Sequence, residues 1–474
     1  AVDVAGSTTT LNNVFYIKKD TTFPHIIDNQ NGDDTWRISA PGAVYNIDFS
    51  DDLSLLDYAQ YAVYSGPNKT GNLLKNWTSI FTSTNVANYT QNWDVDFNYL
   101  VEYSTNYVSV IVYDNAGNSK ELDDVFYILK DTTSPTITDN QTGDDVWRNS
   151  TGTTYDVDFS DTGGSDLDFA EYCVWTGPNQ SGTQLVTWTD ISGVSGSSFT
   201  EDWQINFGAC QEGYNYVSVR CNDLAGNTTS FIDAFYLKKD TIYPEIGDNQ
   251  IGDDEWRNSG GTVYDVDFSD SGSELNYGQY KICSSTGQVG LIKDWTDISG
   301  VTGSSFTSDW EIDFSTCPEG ISYVSVRVYD NAKNMSYLDD VFYVKKDTTP
   351  PTVTDNQSGD DVWRNASGTT YDVDFYDTGG SNLDYVQYKV CSSTNQVGTI
   401  IDWYTFSSGI NSSSYTEEWS LSASNFELLT AGYNYANVLC FSCKKRVDPL
   451  EAVSYTHLRA HETSLHLVCR LLLE

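Results

Sequence analysis

TVYDVDFSD at 262–270 and SYVSVRVYD at 322–330 alternate residue by residue. In the first, Tyr264, Val266 and Phe268 point one way while Asp265 and Asp267 point the other. In the second, Val324, Val326 and Val328 share a face. Side chains of a β-strand alternate between its two faces, so this pattern marks strands with one side in a core and one in water. Around these two stretches the same reading predicts strands over Tyr277–Cys283, Leu291–Ile298, Phe306–Phe314 and Val341–Lys345, with a short first strand near Ile246. Clusters of Gly, Ser, Asn and Asp separate them, and no helical period is present. Seven or so short strands in roughly a hundred residues describe an all-β, antiparallel β-sandwich.

The pattern recurs. The string DNQxGDDxWR begins at Asp28, Asp139, Asp248 and Asp355, in steps of 111, 109 and 107 residues. A period of that length is one domain, so the 474 residues read as a tandem array. The expected divisions are 20–130, 131–239, 240–346 and 347–439. Such an array multiplies a module and gains reach or valency, whereas an active site is normally built once.

Both ends depart from the period. Residues 1–20, AVDVAGSTTTLNNVFYIKKD, align with VYDNAGNSKELDDVFYILKD at 112–131. The chain is therefore expected to open inside an earlier copy, with 1–19 as that copy's last strand, and to be a piece of a longer protein. The fourth copy keeps the pattern through Leu439 and then loses it, so it is expected to lack its last strands and to leave a sheet edge open. Within 440–474, VSYTHLRAHET at 453–463 resembles a translated sequencing-adapter read of the kind found in metagenomic assemblies. That tail is read as non-native, and the zinc-like spacing of His457, His461, His466 and Cys469 is read as accidental.

Charge and composition exclude several function classes. Lys plus Arg number 25 against 67 Asp plus Glu, a net charge of −42. Such a surface repels nucleic acid and anionic lipid and attracts cations. No run of apolar residues is long enough for a membrane span. His25 is the only His within the repeats, and neither a phosphate loop nor a dinucleotide fingerprint occurs, so no enzyme is expected. Cys283 with Cys317, and Cys173 with Cys210 or Cys221, are candidates for bridges in a secreted protein. The first repeat has no Cys, so the fold does not depend on them.

Trp recurs at three positions per period: Trp36, Trp77, Trp93; Trp147, Trp188, Trp203; Trp256, Trp295, Trp310; Trp363, Trp403, Trp419. These are expected in the core. Tyr107, Tyr216, Tyr323 and Tyr435 open the penultimate strand, where a tyrosine corner is expected.

VYDNAGN at 112–118, CNDLAGN at 221–227 and VYDNAKN at 328–334 precede the last strand, and DTTSP or DTTPP marks the joins. With these motifs, residues 1–439 resemble the bacterial and archaeal immunoglobulin-like repeats of secreted surface proteins. The resemblance implies an extracellular or cell-surface stalk or adhesion segment without catalysis, meeting a surface or extracellular protein or glycan. The alternative it implies is a carbohydrate-binding array accessory to a secreted hydrolase, with exposed Trp and Tyr rings. GDDxWR is not a general mark of that family.

Acidic residues gather in loops: GDD (Asp33, Asp34; Asp144, Asp145; Asp253, Asp254; Asp360, Asp361), the linker Asp, the DNAGN loop, and SDTGGSDLD with Asp161, Asp166 and Asp168. Stacking immunoglobulin-like sandwiches head to tail brings GDD of one repeat toward the other three sets of the next. At the first junction that gathers Asp33, Asp34, Asp131, Asp161, Asp166, Asp223 and Asn227. Ca2+ takes six to eight oxygen ligands, mostly carboxylates and carbonyls, so calcium is the cofactor expected there, stiffening the joint.

Overall fold

The computed structural model describes residues 1–30, 35–83, 85–141, 145–250, 255–357 and 362–442, and the backbone of 455–456. The chain falls into two compact units, Ala1–Lys239 and Asp240–Glu474. Each carries two repeats of one design, and among the described residues no helix is long and apolar enough to cross a membrane.

The first repeat defines the design. Its strands are β1 (His25–Asp28), β2 (Trp36–Arg37), β3 (Ile47–Ser50), β4 (Leu56–Tyr64), β5 (Leu73–Phe81), β6 (Asn88–Tyr89), β7 (Ser104–Asp114) and β8 (Ser119–Lys130). One sheet has the order β1-β3-β6 and the other β2-β8-β7-β4-β5. Alternation decides what lies between them: in β7, Val108, Val110 and Val112 are fully buried, while Tyr107, Ile111 and Tyr113 face outward. Ile47 and Phe49 of β3 meet them from the other sheet, with Tyr61, Phe126 and Trp93 in the same core. Burying each of these side chains contributes about 1.5–3 kcal/mol before chain entropy is counted.

Three details differ from the sequence expectation. The sandwich has an eighth strand, β2, and it runs parallel to β8, with Trp36 opposite Leu129 and Arg37 opposite Lys130. Two residues cannot display an alternation, so pattern reading passes over it. In the third repeat the strand expected over 306–314 is broken into Ser305–Phe306 and Trp310–Glu311, and a 3-10 turn follows at Phe314–Thr316. A short α-helix also occurs at Ala423–Glu427.

The corner before β7 is closed by Asn106 rather than by Tyr107. Asn106 is fully buried; its Oδ1 accepts from the Val101 N–H at 2.8 Å, and its Nδ2 donates to the carbonyls of Val101, Ser104 and Ile128, each at 3.1 Å. Asn215 repeats this with Gln211 and Gly213, and Asn434 with Thr430 and Gly432. Parity is the reason. Tyr107 is one residue out of phase with the inward Val residues, so its ring lies on the outer face beside Tyr127.

All seven described cysteines are free and buried, so none of the expected bridges is present. Parity again explains it: Cys221 and Cys210 belong to the second core, whereas Cys173 alternates away from its neighbours Tyr172 and Val174, which do. Cys317 is in the third core and Cys283 is not.

At the start of the chain, residues 11–19 join no sheet, and Val14, Phe15, Tyr16 and Ile17 are exposed. In the fourth repeat Tyr435–Phe441 forms the counterpart of β7; it pairs with Leu383–Cys391 on one side, and on the other, among the described residues, only Tyr455–Thr456 pairs, against Asn437 and Val438. The Trp363–Arg364 pair forms no strand there, and Trp363 is exposed. This fits the first three repeats, where the Trp-Arg strand exists by pairing with a last strand. His457, His461, His466 and Cys469 lie outside the described residues.

Candidate metal centre

Three loops converge where each repeat meets the linker that precedes it. In the second repeat they bring together Asp131 of the linker, Asp161 after the counterpart of β3, and Asp223 at the end of the counterpart of β7. The same trio is Asp20, Asp51 and Asp114 in the first repeat and Asp240, Asp270 and Asp330 in the third. Within each trio one carboxylate oxygen per residue lies within 4.8 Å of the others. All nine are buried except Asp20, which is half-buried.

Local turns hold each carboxylate. Asp131 caps its own turn, Oδ1 accepting from Thr133 N–H at 2.9 Å, and reaches the loop of the second repeat through Oδ2, which accepts from Ser165 N–H at 3.1 Å. Asp161 Oδ1 accepts from Gly163 N–H at 3.1 Å. Asp223 is gripped by Asn227, whose backbone N–H and Nδ2 each donate to it at 2.8 Å. The third repeat repeats the scheme with Asp240 to Ser273 N–H at 2.7 Å, Asp270 to Gly272 and Glu274, and Asp330 to Asn334. In the second, third and fourth repeats a glycine lies beside the linker carboxylate, where a Cβ at Gly163, Gly272 or Gly379 would overlap Asp131, Asp240 or Asp347, whereas Leu53 takes that place in the first.

One oxygen in each trio is left over. Asp51 Oδ1, Asp161 Oδ2 and Asp270 Oδ1 are buried, belong to the same position of three repeats, and accept no hydrogen bond. A buried carboxylate oxygen without a donor is costly, and two neighbouring carboxylates make it more so. Burial raises the carboxyls of Asp161, Asp270 and Asp330 above the usual value, and the other acids of their trios add to the rise. Asp20, at the more open trio, is instead held below it, chiefly by the Thr22 backbone N–H and the Ser54 hydroxyl. Two responses relieve such a cluster: uptake of a proton or uptake of a cation. Three carboxylates converging this closely are a donor set that can hold a divalent cation.

Of the residues singled out in the sequence, Asp131, Asp161 and Asp223 come together. Asp166 is exposed at φ 66°, and its carboxylate is not part of the trio. Asn227 points its Nδ2 at Asp223 and at the carbonyls of Asp131 and Thr133, so that its amide braces the linker. Asp33 and Asp34 lie outside the described residues. Asp145, the described acid of the second GDD, pairs with Tyr236 and Lys238 of its own repeat. The trios of the first and third repeats escaped the sequence reading, although the same three motifs spell them. In the fourth repeat Asp347 and Asp377 keep their places, and Ser442 stands where the third acid would be.

The Trp residues divide by position. Trp93, Trp203, Trp310 and Trp419 are buried, as expected, with Trp203 and Trp310 Nε1 donating to Val157 and Val266 carbonyls at 3.2 Å. Trp77, Trp188, Trp295 and Trp403 are only half-buried on β5 and its counterparts, contrary to expectation, because they alternate away from the core. Each lies under a cation of its own repeat: Lys69 at 5.6 Å, Arg220 at 4.4 Å, Arg327 at 4.3 Å and Lys389 at 5.9 Å from the ring centroid.

No protein-family model and no curated protein matches the chain. Solved structures do. A tetra-tandem repeat from the extending region of a large adhesion protein aligns at 12% identity and a TM-score of 0.35, covering 92% of this chain and 97% of that one. A Ca2+-stabilised adhesin, described as helping an Antarctic bacterium reach out and bind ice, aligns at 16% identity and a TM-score of 0.34, covering 93% and 98%. Fibronectin(III)-like modules of Clostridium thermocellum CbhA align at 12% identity and a TM-score of 0.21, covering 45% and 94%. At such identities and scores the likeness carries no argument about ligand or activity.

Proposed function

We propose that this chain is a non-catalytic stalk or adhesion segment of an extracellular, cell-surface protein, built of repeats of the bacterial and archaeal immunoglobulin-like kind and held at its joints by calcium. The observation that carries the reading is the threefold recurrence of an Asp trio, fully buried in the second and third repeats and buried but for Asp20 in the first, with one unpartnered oxygen and each including the linker Asp. Asp131, Asp161 and Asp223 are the ligands of the second site, and Asp20, Asp51, Asp114 and Asp240, Asp270, Asp330 those of the first and third. A hard divalent cation suits an all-oxygen set, and calcium tolerates irregular geometry better than magnesium. The net charge of −42 favours cation uptake and disfavours nucleic acid as a partner.

The alternative, a glycan-binding array, needs free aromatic faces. It is disfavoured because one Trp of each repeat is in the core and a second has a face taken by the protein's own Lys or Arg. The test is differential: melting and limited proteolysis of the full chain with calcium and with chelator, beside a glycan-array screen. Calcium-dependent protection of the linkers without glycan binding is expected. Glycan binding with no calcium effect would replace this reading with the alternative.

A further inference from the structure

The trio of the second repeat is not assembled by that repeat alone. Its linker acid, Asp131, donates its backbone N–H to the Arg37 carbonyl of the first repeat at 3.2 Å. Arg37 and Trp36 form β2, fixed in parallel register to Leu129–Lys130 just before the linker. The Trp36 ring then crosses the joint. A Cβ placed on Gly164 of the second repeat would lie 3.5 Å from Trp36 Cη2, in ordinary contact, and 3.1 Å from Tyr103 Cα, which is tighter than ordinary contact, so the Trp36 ring rests within van der Waals reach of this loop and Tyr103 leaves little room for a side chain. Gly164 also sits at φ +95°, where other residues are strained. Its neighbour Gly163 is the residue whose backbone lies against the Asp131 carboxylate. A tryptophan of one repeat and a ligand of the next are thus separated by two adjacent glycines.

The third and fourth repeats show the arrangement again. Asp347 N–H donates to the Arg257 carbonyl at 2.9 Å, and a Cβ on Gly380 would come within 2.9 Å of Trp256 Cη2. Gly379 lies against Asp347. The second glycine is specific to the second and fourth repeats, since the corresponding loops at 51–56 and 270–275 are one residue shorter and lack it.

We infer that Trp36, seated on Gly164, is a positioning residue for the second trio: it fixes Asp131 against the Asp161 loop, so that closure of the joint and cation binding are one coupled event. This rests on the cation reading proposed above. It assigns the Trp-Arg of the recurring GDDxWR string a role that no carboxylate supplies. Occupancy of the trio tightens the joint, and by reciprocity a loosened joint weakens the trio.

Hydrogen exchange on the full chain tests it, comparing Trp36→Ala and Gly164→Ala with the natural sequence in chelator and across a calcium titration. Amides of 131–134 report the joint, those of 161–166 and 223–227 the second trio, and the corresponding loops of the first and third repeats serve as internal controls. Both substitutions are expected to speed exchange at 131–134 in chelator. They are also expected to weaken calcium protection of the second trio by about tenfold, within the usual range of such couplings, with the control trios unchanged. Slow core amides at Val108–Val112 of the first repeat and Val217–Cys221 of the second certify that each variant folds, and Trp36→Phe restores part of the effect. Unchanged exchange at 131–134 in both variants overturns the inference whatever calcium does. A loosened joint in a protein whose natural form shows no calcium protection at any trio overturns the cation reading, and with it the coupling, leaving a plain packing contact.

Discussion

Replacing Asp161 with Asn separates an electrostatic site from an ordinary turn cap, because the sign of its effect depends on calcium. Two carboxylates no more than 4.8 Å apart repel by about 3.5 kcal/mol at an effective dielectric of 20. Protonating one of them limits its cost to about 4 kcal/mol at pH 7. Allowing for partial screening at the end of a sandwich, the gain from removing one charge in chelator is about 2 kcal/mol. The Asn fits the local geometry: its Oδ1 keeps the bond from Gly163 N–H, and its Nδ2 stands where Asp161 Oδ2 has no partner. In calcium at about a thousand times its dissociation constant, the natural protein gains about 4 kcal/mol from binding, and the variant, short of one ligand, loses most of it. The variant is therefore about 2 kcal/mol more stable than the natural protein in chelator and about 2 kcal/mol less stable in calcium. Opening free energies of the slowest amides in Val217–Cys221, by hydrogen exchange in the two buffers, measure it repeat by repeat. A loss of equal size in both buffers would refute the reasoning and leave Asp161 as a turn cap.

Further predictions concern the core and the pH response. Trp203→Ala removes a buried ring and its bond to Val157 and should cost about 3–5 kcal/mol, whereas Trp188→Ala removes a half-buried ring under Arg220 and should cost about 1 kcal/mol. Urea unfolding of the two variants giving equal losses would contradict the division of the Trp residues. Asn215→Ala strands the Gln211 N–H and carbonyl at the corner and should cost about 2–3 kcal/mol, while Tyr216→Ala should cost less; the reverse order would restore the corner to Tyr. Asp161, Asp270 and Asp330 have carboxyls raised in the folded state, so in chelator their contribution to stability is greatest in acid and is lost as pH rises through the raised values. Calcium needs the ionised forms, so the melting increment it produces should grow over that same pH interval; an increment independent of pH would count against ligation by these acids.

The sandwich was legible because its signal is local. Val108, Val110 and Val112 announce their shared face in five residues, and the repeat copies the announcement down the chain. What escaped depends on parity or on partners distant in sequence. Asn106 and Tyr107 are adjacent, and only the phase of the strand tells which turns inward to close the corner. Strand β2 has no pattern of its own and exists through pairing with β8, almost a hundred residues on. At the trio, residue type and loop membership were readable, since Asp recurs in the linker, after β3 and after β7. Which acid of SDTGGSDLD faces the cluster was not, because the left-handed turn at Asp166 sends that side chain outward while Asp161 stays in. The Trp36 contact on Gly164 joins two repeats, and although its Trp and its glycine both recur, nothing local in either motif says that they meet.

Calcium as the joint cation is tested most directly by counting it. Isothermal titration of the full chain, stripped with chelator and dialysed, should detect three bound Ca2+, one for each of the Asp20, Asp131 and Asp240 trios, with the count falling to two in Asp161→Asn. A chain that takes up no calcium at millimolar concentration, with no heat and no change in melting, would contradict the account.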